Sequence, residues 1–212
     1  MRSDIDYTLY LVTDRALMSA DTLEGAAEQA ITGGCTMIQL REKDAPSLAF
    51  YQTALGLKAV ADKHHVPLLI NDRADIAMAV DADGVHVGQS DLPASVVRGM
   101  IGGGKLLGVS VSTVEEAVTA VEDGADYIGV GAMYPTGTKR DAAVVSMDEL
   151  KRIREAVPVP IVVIGGINQR TVPDFAGTGI DGLAVVSAVI AQRDIAGAAR
   201  EMIRIFRSGA NA

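Results

Sequence analysis

Charged and amide side chains lie at the ends of several short apolar runs in this sequence, and their types bind phosphate and divalent metals. Gln39-Leu40-Arg41-Glu42-Lys43 lies at the end of one run, Asn71-Asp72-Arg73 at a second, and Gln89-Ser90-Asp91 follows a third. Carboxylates are preferred ligands of Mg²⁺, while guanidinium and ammonium groups bind phosphate oxygens. This combination predicts a site for a phosphorylated ligand that is bridged to a metal.

Asp72 and Asp91 are the candidate ligands of Mg²⁺. Each also precedes a helical stretch, so the alternative for each is a helix N-cap. Arg41, Lys43 and Lys139 favour the metal, because cations around two aspartates make sense in an acidic protein when the ligand brings further negative charge. A diphosphate bridged to Mg²⁺ would bring that charge.

The segment from Gln39 to Lys43 places polar side chains at every second residue. If the strand continues through it, Gln39, Arg41 and Lys43 face one side while Leu40 packs on the other. The alternative for Arg41 and Lys43 is a surface ion pair with Glu42. The spacing therefore predicts a cationic edge beside the metal ligands.

Hydroxyl groups and glycines predict a second anion site further along the chain. Thr136-Gly137-Thr138, Gly165-Gly166 and Val186-Ser187 offer hydroxyls and backbone N–H groups, with helix N-termini expected behind the last two. A glycine pair alone often marks only a turn. Its position after the seventh apolar run favours phosphate binding.

Short β-branched runs alternate with amphipathic stretches along the whole chain, a pattern typical of a parallel sheet covered by helices. The eight predicted strands are residues 8–12, 36–40, 67–71, 84–88, 106–110, 126–130, 160–164 and 182–186. Similar segments that begin at Asp81, Gly124 and Gly179 lead into three of them, which indicates a repeated unit. The sequence predicts an α/β fold, a (β/α)8 TIM barrel formed by one domain over residues 1–212, with an open doubly wound sheet as the alternative.

A closed barrel collects the carboxyl ends of its strands at one mouth, so the polar residues that follow distant strands would converge there. Ser110, at the end of the fifth strand, would join them. No Ser, His and Asp have the spacing of a nucleophile elbow, which argues against acyl-transfer hydrolysis. Cys35 and His86 are interpreted as a small core residue and an interior histidine.

The formal net charge of −8 argues against nucleic acid and anionic membrane as partners, because both attract basic surfaces. Acidic residues near the N-terminus and the lack of a long apolar run predict a cytoplasmic protein without a signal peptide or membrane span. The single cysteine fits a reducing compartment. The expected partners are small phosphorylated molecules, and the composition is compatible with a homo-oligomer.

Eight segments, in order, resemble the signature segments of the thiamine-phosphate synthase family. They are YLVTD, QLREK, LINDR, DGVHVGQSD, GVS, GADYIGVG with PTGTK, VVIGGI and AVVSA, between Tyr10 and about Ile190. The resemblance implies a barrel enzyme that couples 4-amino-2-methyl-5-(diphosphooxymethyl)pyrimidine to a thiazole ethyl phosphate, often carboxylated. The products would be thiamine phosphate and diphosphate.

The resemblance also implies roles for individual residues. The pyrimidine diphosphate would be held by Gln39, Leu40, Arg41, Glu42, Lys43, Asn71, Ser110 and Lys139. The thiazole phosphate would be held by Thr136, Gly137, Thr138, Gly166, Val186 and Ser187, and Mg²⁺ by Asp72 and Asp91. Among these, Lys139, Arg41 and Ser110 would act in catalysis.

The implied reaction is dissociative, because an electron-donating aminopyrimidine stabilises the cation that remains when diphosphate leaves. Arg41, Lys43, Lys139 and Mg²⁺ would stabilise the charge on the leaving group, and the thiazole nitrogen would attack the cation that it already touches. Val111-Ser112 after Ser110 departs from the residues frequent in the family, without removing a role.

Three alternative functions follow from the same residues. A thiazole tautomerase of the same barrel family would rearrange the thiazole phosphate without coupling, and would not need Asn71, Asp72, Asp91 and Lys139 together. An aldolase-like lyase would use Lys139 as a Schiff-base lysine. A noncatalytic sensor would keep the phosphate pocket but would gain nothing from the metal pair.

Overall fold

Eight parallel strands form a closed barrel in the part of the chain that the structure, a computed structural model, describes, which is residues 5–137 and 144–210. The strands lie in sequence order around the barrel, and the last pairs with the first to close it. They are Leu9–Val12 (β1), Met37–Leu40 (β2), Leu68–Asn71 (β3), Gly84–Val87 (β4), Leu106–Val111 (β5), Tyr127–Val130 (β6), Ile161–Val163 (β7) and Gly182–Val185 (β8). The predicted (β/α)8 barrel is confirmed, and the open sheet is wrong.

Helices follow seven of the strands within these described ranges. They are Leu23–Thr32 (α1), Ser47–His64 (α2), Ala74–Ala79 (α3), Ala94–Ile101 (α4), Val114–Glu122 (α5), Met147–Ala156 (α6), Ser187–Ile190 (α7) and Ile195–Ala210 (α8). After β7 the chain instead forms a 3₁₀ turn, Val172–Phe175. The helix expected behind Gly165-Gly166 is therefore wrong, and Pro173 within the turn lacks the N–H that a longer helix would use.

Side chains of the strands alternate between two apolar layers. Met37 belongs to the cluster inside the barrel, while Ile38 and Leu40 belong to the cluster between the barrel and the helices. Gln39 also points inward, as the period of two requires. Cys35 is buried in the outer layer, which confirms its interpretation as a small core residue.

A polar side chain before every second strand binds the neighbouring strand, which gives the repeated segments of the sequence a structural role. Each accepts a hydrogen bond from a backbone N–H at the start of the preceding strand in the barrel. The pairs are Thr36 with Leu9 (3.1 Å), Asp83 with Leu68 (3.0 Å), Asp126 with Leu107 (2.8 Å) and Asp181 with Ile161 (2.8 Å). These bonds tie strands β1/β2, β3/β4, β5/β6 and β7/β8 together at the end opposite the mouth.

No helix within the described ranges is long and apolar enough to cross a membrane.

Substitution of Gly182 at the start of β8 should destabilise the barrel. A Cβ there would lie 1.7 Å from the backbone oxygen of Tyr7, so Gly182→Ala must move two strands apart. We expect the free energy of unfolding, measured by urea denaturation, to fall by about 2 kcal/mol or more.

Gly99→Ala is the matched control, because Gly99 lies in α4 and a Cβ added there would have no heavy atom within 4 Å. Alanine should raise the unfolding free energy there by about 0.5 to 1 kcal/mol, the difference in helix propensity. Equal effects of the two substitutions would contradict the steric argument.

Candidate active site at the barrel mouth

The residues at the carboxyl ends of the strands surround one cavity. Most of the residues predicted from the sequence line it, namely Gln39, Arg41, Lys43, Asn71, Asp72, Asp91, Ser110, Thr136, Gly166, Val186 and Ser187. The cavity thus brings together residues from seven strand ends that are far apart in the chain. Thr138 and Lys139 lie outside the described residues.

Three predicted residues are described and do not line this cavity. Leu40 is fully buried and packs against the helices, as the alternation of β2 predicts. Glu42 forms an ion pair with Arg15, with the Nε and Oε1 atoms 3.1 Å apart, and lines a neighbouring surface cleft. Gly137 is exposed. The ion pair that was the alternative for Arg41 and Lys43 thus involves Arg15 in place of those two residues.

Asp72 ends β3 in a backbone conformation that few residues other than glycine adopt, with φ at 64°. Its N–H donates to the backbone oxygen of His86 at 2.9 Å, and its carboxylate accepts a hydrogen bond from the side-chain amide of Asn71. Lys43 Nζ lies 3.6 Å from Oδ2 of Asp72. Contacts from both neighbouring strand ends therefore fix this carboxylate at the mouth.

Asp91 is held by its own loop. Its Oδ2 accepts a hydrogen bond from the N–H of Gly88 at 2.7 Å. The N-cap positions of α3 and α4 are Arg73 and Pro93, so neither Asp72 nor Asp91 caps a helix. The helix-cap alternative is wrong for both carboxylates, which leaves them free to bind a ligand.

The two carboxylates are close enough to affect each other. Burial, a hydrogen bond with Asp91 and the negative charge of Asp91 together raise the pKa of Asp72 to about 6, and Lys43 opposes the rise. A cation between the two carboxylates would offset the repulsion between their negative charges. No third His, Cys, Asp or Glu joins a metal-binding group within residues 5–137 and 144–210. Two carboxylates fit Mg²⁺, because this ion keeps waters and phosphate oxygens in its shell.

The opposite side of the mouth is built from backbone. Gly165 and Gly166 follow β7 with φ values of 92° and 69°. A Cβ at Gly165 would lie 2.5 Å from Cβ of Ala132, and one at Gly166 would lie 2.6 Å from Cβ of Tyr134. Only glycine allows the loops after β6 and β7 to pack this closely, so the bare backbone of Gly166 faces the cavity.

The loop after β8 adds a short helix to this side. Ser187 begins α7 directly at the cavity, and Val186 precedes it. N–H groups in the first turn of a helix have no partner within the helix and bind anions. Together with Gly166 they line the part of the cavity, called the recess below, that lies after the seventh and eighth strands, where barrels commonly bind phosphate.

Sequence reasoning missed part of the site, a chain of hydrogen bonds below the mouth. It runs from Gln39 through the hydroxyls of Tyr10 and Tyr127 and the ring of His86 to Ser110. His86 is the satisfied interior histidine that the sequence predicts. The two tyrosines could have been found from their inward positions on β1 and β6.

The cationic and acidic side chains occupy one half of the mouth and the backbone recess occupies the other. Arg73, next to Asp72, turns away from the cavity and pairs with Asp75. The arrangement can bind two anionic groups side by side, one with a metal and one without.

Known proteins resemble this chain over almost its whole length. The profile of a family described as thiamine monophosphate synthase matches residues 9–189. The thiamine-phosphate synthase of Clostridium beijerinckii is 64% identical over 206 residues, covering 97% of this chain and 99% of that protein. That of Methanobrevibacter smithii is 47% identical, covering 97% and 98%. The thiamine phosphate pyrophosphorylase structure from Pyrococcus furiosus has a TM-score of 0.89 at 37% identity, covering 97% and 98%.

The raised pKa of Asp72 predicts how its removal changes stability with pH. Without metal, an ionised Asp72 destabilises the folded state relative to the unfolded state. This destabilisation is fully present above about pH 6, where the carboxyl is ionised in both states, and it is absent below the usual pKa of 3.8, where the carboxyl is protonated in both. In chelator, Asp72→Asn should raise the unfolding free energy by about 2 kcal/mol near pH 8, and by less as the pH falls toward about 5.

Asp75→Asn is the control in the same urea titrations, and its effect on the unfolding free energy should have the opposite sign. Its hydrogen bond with Arg73 lowers the pKa of Asp75, so its contribution is stabilising and constant over this pH range. A stability gain in Asp72→Asn that does not change between about pH 5 and about pH 8 would contradict the assignment of the buried charge.

Proposed function

We propose, because the chain belongs to the thiamine monophosphate synthase family, that it is a transferase that joins an aminopyrimidine diphosphate to a thiazole phosphate and releases diphosphate. The product is thiamine phosphate. The observation that carries this proposal is the division of one mouth into a half with carboxylates and cations and a half of bare backbone. Two differently charged substrates need these two halves.

The pyrimidine diphosphate is assigned to the half formed by β2 to β5. Arg41 and Lys43 would bind diphosphate oxygens, and Asn71 and Ser110 would add uncharged hydrogen bonds. Gln39 lies deeper, where a pyrimidine ring would reach it. Lys139 is assigned to the same diphosphate through the family resemblance.

The thiazole phosphate is assigned to the recess after β7 and β8. Backbone N–H groups of Gly166 and Ser187 and the hydroxyl of Ser187 would bind its phosphate. Thr136 lines the cavity between the two halves. Gly137, Thr138 and Val186 are assigned to this substrate on the resemblance.

We assign Mg²⁺ to Asp72 and Asp91, where its binding would neutralise charge on the diphosphate oxygens. The site's own residues then have two tasks. Arg41, Lys43 and Ser110 hold the diphosphate as the bond between its oxygen and the pyrimidine methylene carbon breaks, and the electron pair leaves with the diphosphate. The recess holds the thiazole so that its nitrogen lone pair forms the new bond to that carbon.

The remaining properties in the proposal rest on the sequence. One domain spans residues 1–212, the location is the cytoplasm, and the partners are small phosphorylated molecules, with neither nucleic acid nor membrane. The acidic composition and the single cysteine support the location. A homo-oligomer remains compatible with these properties.

The alternative functions gain no support from the relatives, whose names are those of synthases. A tautomerase or a sensor would not require the carboxylate pair, and an aldolase-like lyase would not require a metal. Metal-dependent release of diphosphate therefore separates the proposed reaction from all three.

Incubation of the protein with both substrates and Mg²⁺ should give thiamine phosphate by mass and one diphosphate per product. Asp91→Asn should lower kcat/KM by about a hundredfold or more, because it removes a metal ligand but keeps an oxygen for the Gly88 N–H. Lys139→Ala should abolish coupling.

Asp81→Asn is the matched control, since Asp81 lies before β4 at the far end of the barrel and pairs with Lys105. It should retain full activity. Absence of product with the unaltered protein would overturn the function, and full turnover by Asp91→Asn would overturn the metal assignment alone.

Ser187→Ala tests the second half of the mouth. Loss of its hydroxyl should raise KM for the thiazole phosphate by about tenfold and leave KM for the pyrimidine diphosphate unchanged, because the two substrates occupy different halves. Initial-rate kinetics with each substrate varied in turn measure both constants. An equal change in both would contradict the division of the site.

A further inference from the structure

We propose that Tyr10, Tyr127 and His86 are positioning residues that give the two ends of their hydrogen-bonded chain opposite polarity. Gln39 then presents an acceptor to the cavity, and Ser110 presents a donor. This inference deepens the proposed function and rests on it for the identity of the ligand. None of the three residues belongs to the set assigned above to the substrates or the metal.

The chain of hydrogen bonds is continuous, and Tyr10 and His86 line the cavity together with its two end residues, while Tyr127 lies behind them. Nε2 of Gln39 donates to the hydroxyl of Tyr10 at 2.7 Å, and the hydroxyls of Tyr10 and Tyr127 are 2.9 Å apart. Nδ1 of His86 lies 2.8 Å from the Tyr127 hydroxyl, and Nε2 lies 2.8 Å from Oγ of Ser110. Gln39 and Ser110 both line the cavity, so the chain of hydrogen bonds begins and ends there.

The direction of the bonds follows from counting protons. The Tyr10 hydroxyl accepts from Gln39, so its own proton goes to Tyr127, and the proton of Tyr127 goes to Nδ1 of His86. Nδ1 is then an acceptor, which places the ring proton on Nε2, where it is donated to Ser110. The proton of the Ser110 hydroxyl is left to point into the cavity.

The opposite direction would require every member to change at once. Rotation of the Gln39 amide by half a turn would put its oxygen at Tyr10, and each bond along the chain would have to reverse. With the Gln39 amide oriented as observed, a charged His86 would donate from both nitrogens and leave one tyrosine proton without an acceptor among these groups. Burial raises the pKa of both tyrosines well above the usual value, which keeps their protons in place.

The resulting polarity matches the proposed substrate. The oxygen of Gln39 has no hydrogen bond to another residue of the described ranges, so it can accept one from the exocyclic amine of an aminopyrimidine. The Ser110 hydroxyl can donate to an oxygen of the departing diphosphate. A ring with a carbonyl in place of the amine would place the carbonyl oxygen, an acceptor, against the acceptor oxygen of Gln39, which is unfavourable.

The chain of hydrogen bonds therefore predicts that selectivity for the amino substrate depends on the hydroxyl of Tyr127. In Tyr127→Phe the Gln39 amide is no longer tied to His86 and can rotate to donate. We expect the ratio of kcat/KM for the amino substrate to that for its 4-oxo analogue to fall by about tenfold. A purely structural loss would lower both values together and leave the ratio unchanged.

Tyr7→Phe is the matched control. Its ring lies 5.2 Å from that of Tyr127 between centroids, in the same interior layer, and its hydroxyl bonds to no other residue of the described ranges. This variant should keep the ratio of the unaltered protein. A ratio that is the same in all three proteins would overturn the proposal, as would an equal fall in both variants.

The ring of His86 gives a second readout that does not depend on activity. ¹⁵N NMR of the protein without substrates should show the ring proton of His86 on Nε2 and none on Nδ1, assigned by comparison with His86→Gln. A proton on Nδ1 would overturn the proposal. Failure of the unaltered protein to form thiamine phosphate would instead overturn the proposed function and leave this measurement valid.

Discussion

The space inside the barrel is the constraint on which the rest of the structure depends. Tyr127 fills much of it, and a Cβ at Gly108 on the neighbouring strand would lie only 2.2 Å from its ring and hydroxyl oxygen. The same Cβ would lie 2.5 Å from Nδ1 of His86. Large aromatic side chains fit in the interior because adjacent strands carry glycine, and this close packing fixes each hydroxyl where its partner can reach it.

The mouth of the barrel combines positive and negative side chains, although the protein as a whole is acidic. Arg41 and Lys43 line the same cavity as Asp72 and Asp91. The pKa of Asp72 is raised by burial and by Asp91, and Lys43 only partly offsets that rise. The mouth is therefore arranged for a ligand that brings a metal and an anion together, because either alone would leave charge unbalanced.

The sequence predicted those features that depend on local pattern. Strand bounds were right to within one residue because buried parallel strands read as apolar runs, and the direction of Leu40 followed from the period of two. The helix expected after β7 was wrong, because Pro173 and the left-handed Gly177 and Gly179 divide a short segment. The tyrosine chain depends on contacts between strands far apart in sequence, which no local pattern encodes.

His86 on β4 connects the end of β3, which carries Asp72, with the end of β5, which carries Ser110. Its backbone oxygen accepts from the N–H of Asp72 at 2.9 Å and from the Asn71 amide at 3.3 Å, and so it fixes the end of β3, where the proposed metal ligand lies. Its ring fixes the hydroxyl of Ser110 at the end of β5. Since His86 holds residues of both neighbouring strands, a shift of β4 would move Asp72 and Ser110 together. The backbone of β4 thus sets the separation between these two groups, while its side chain sets the direction of the proton that one of them donates.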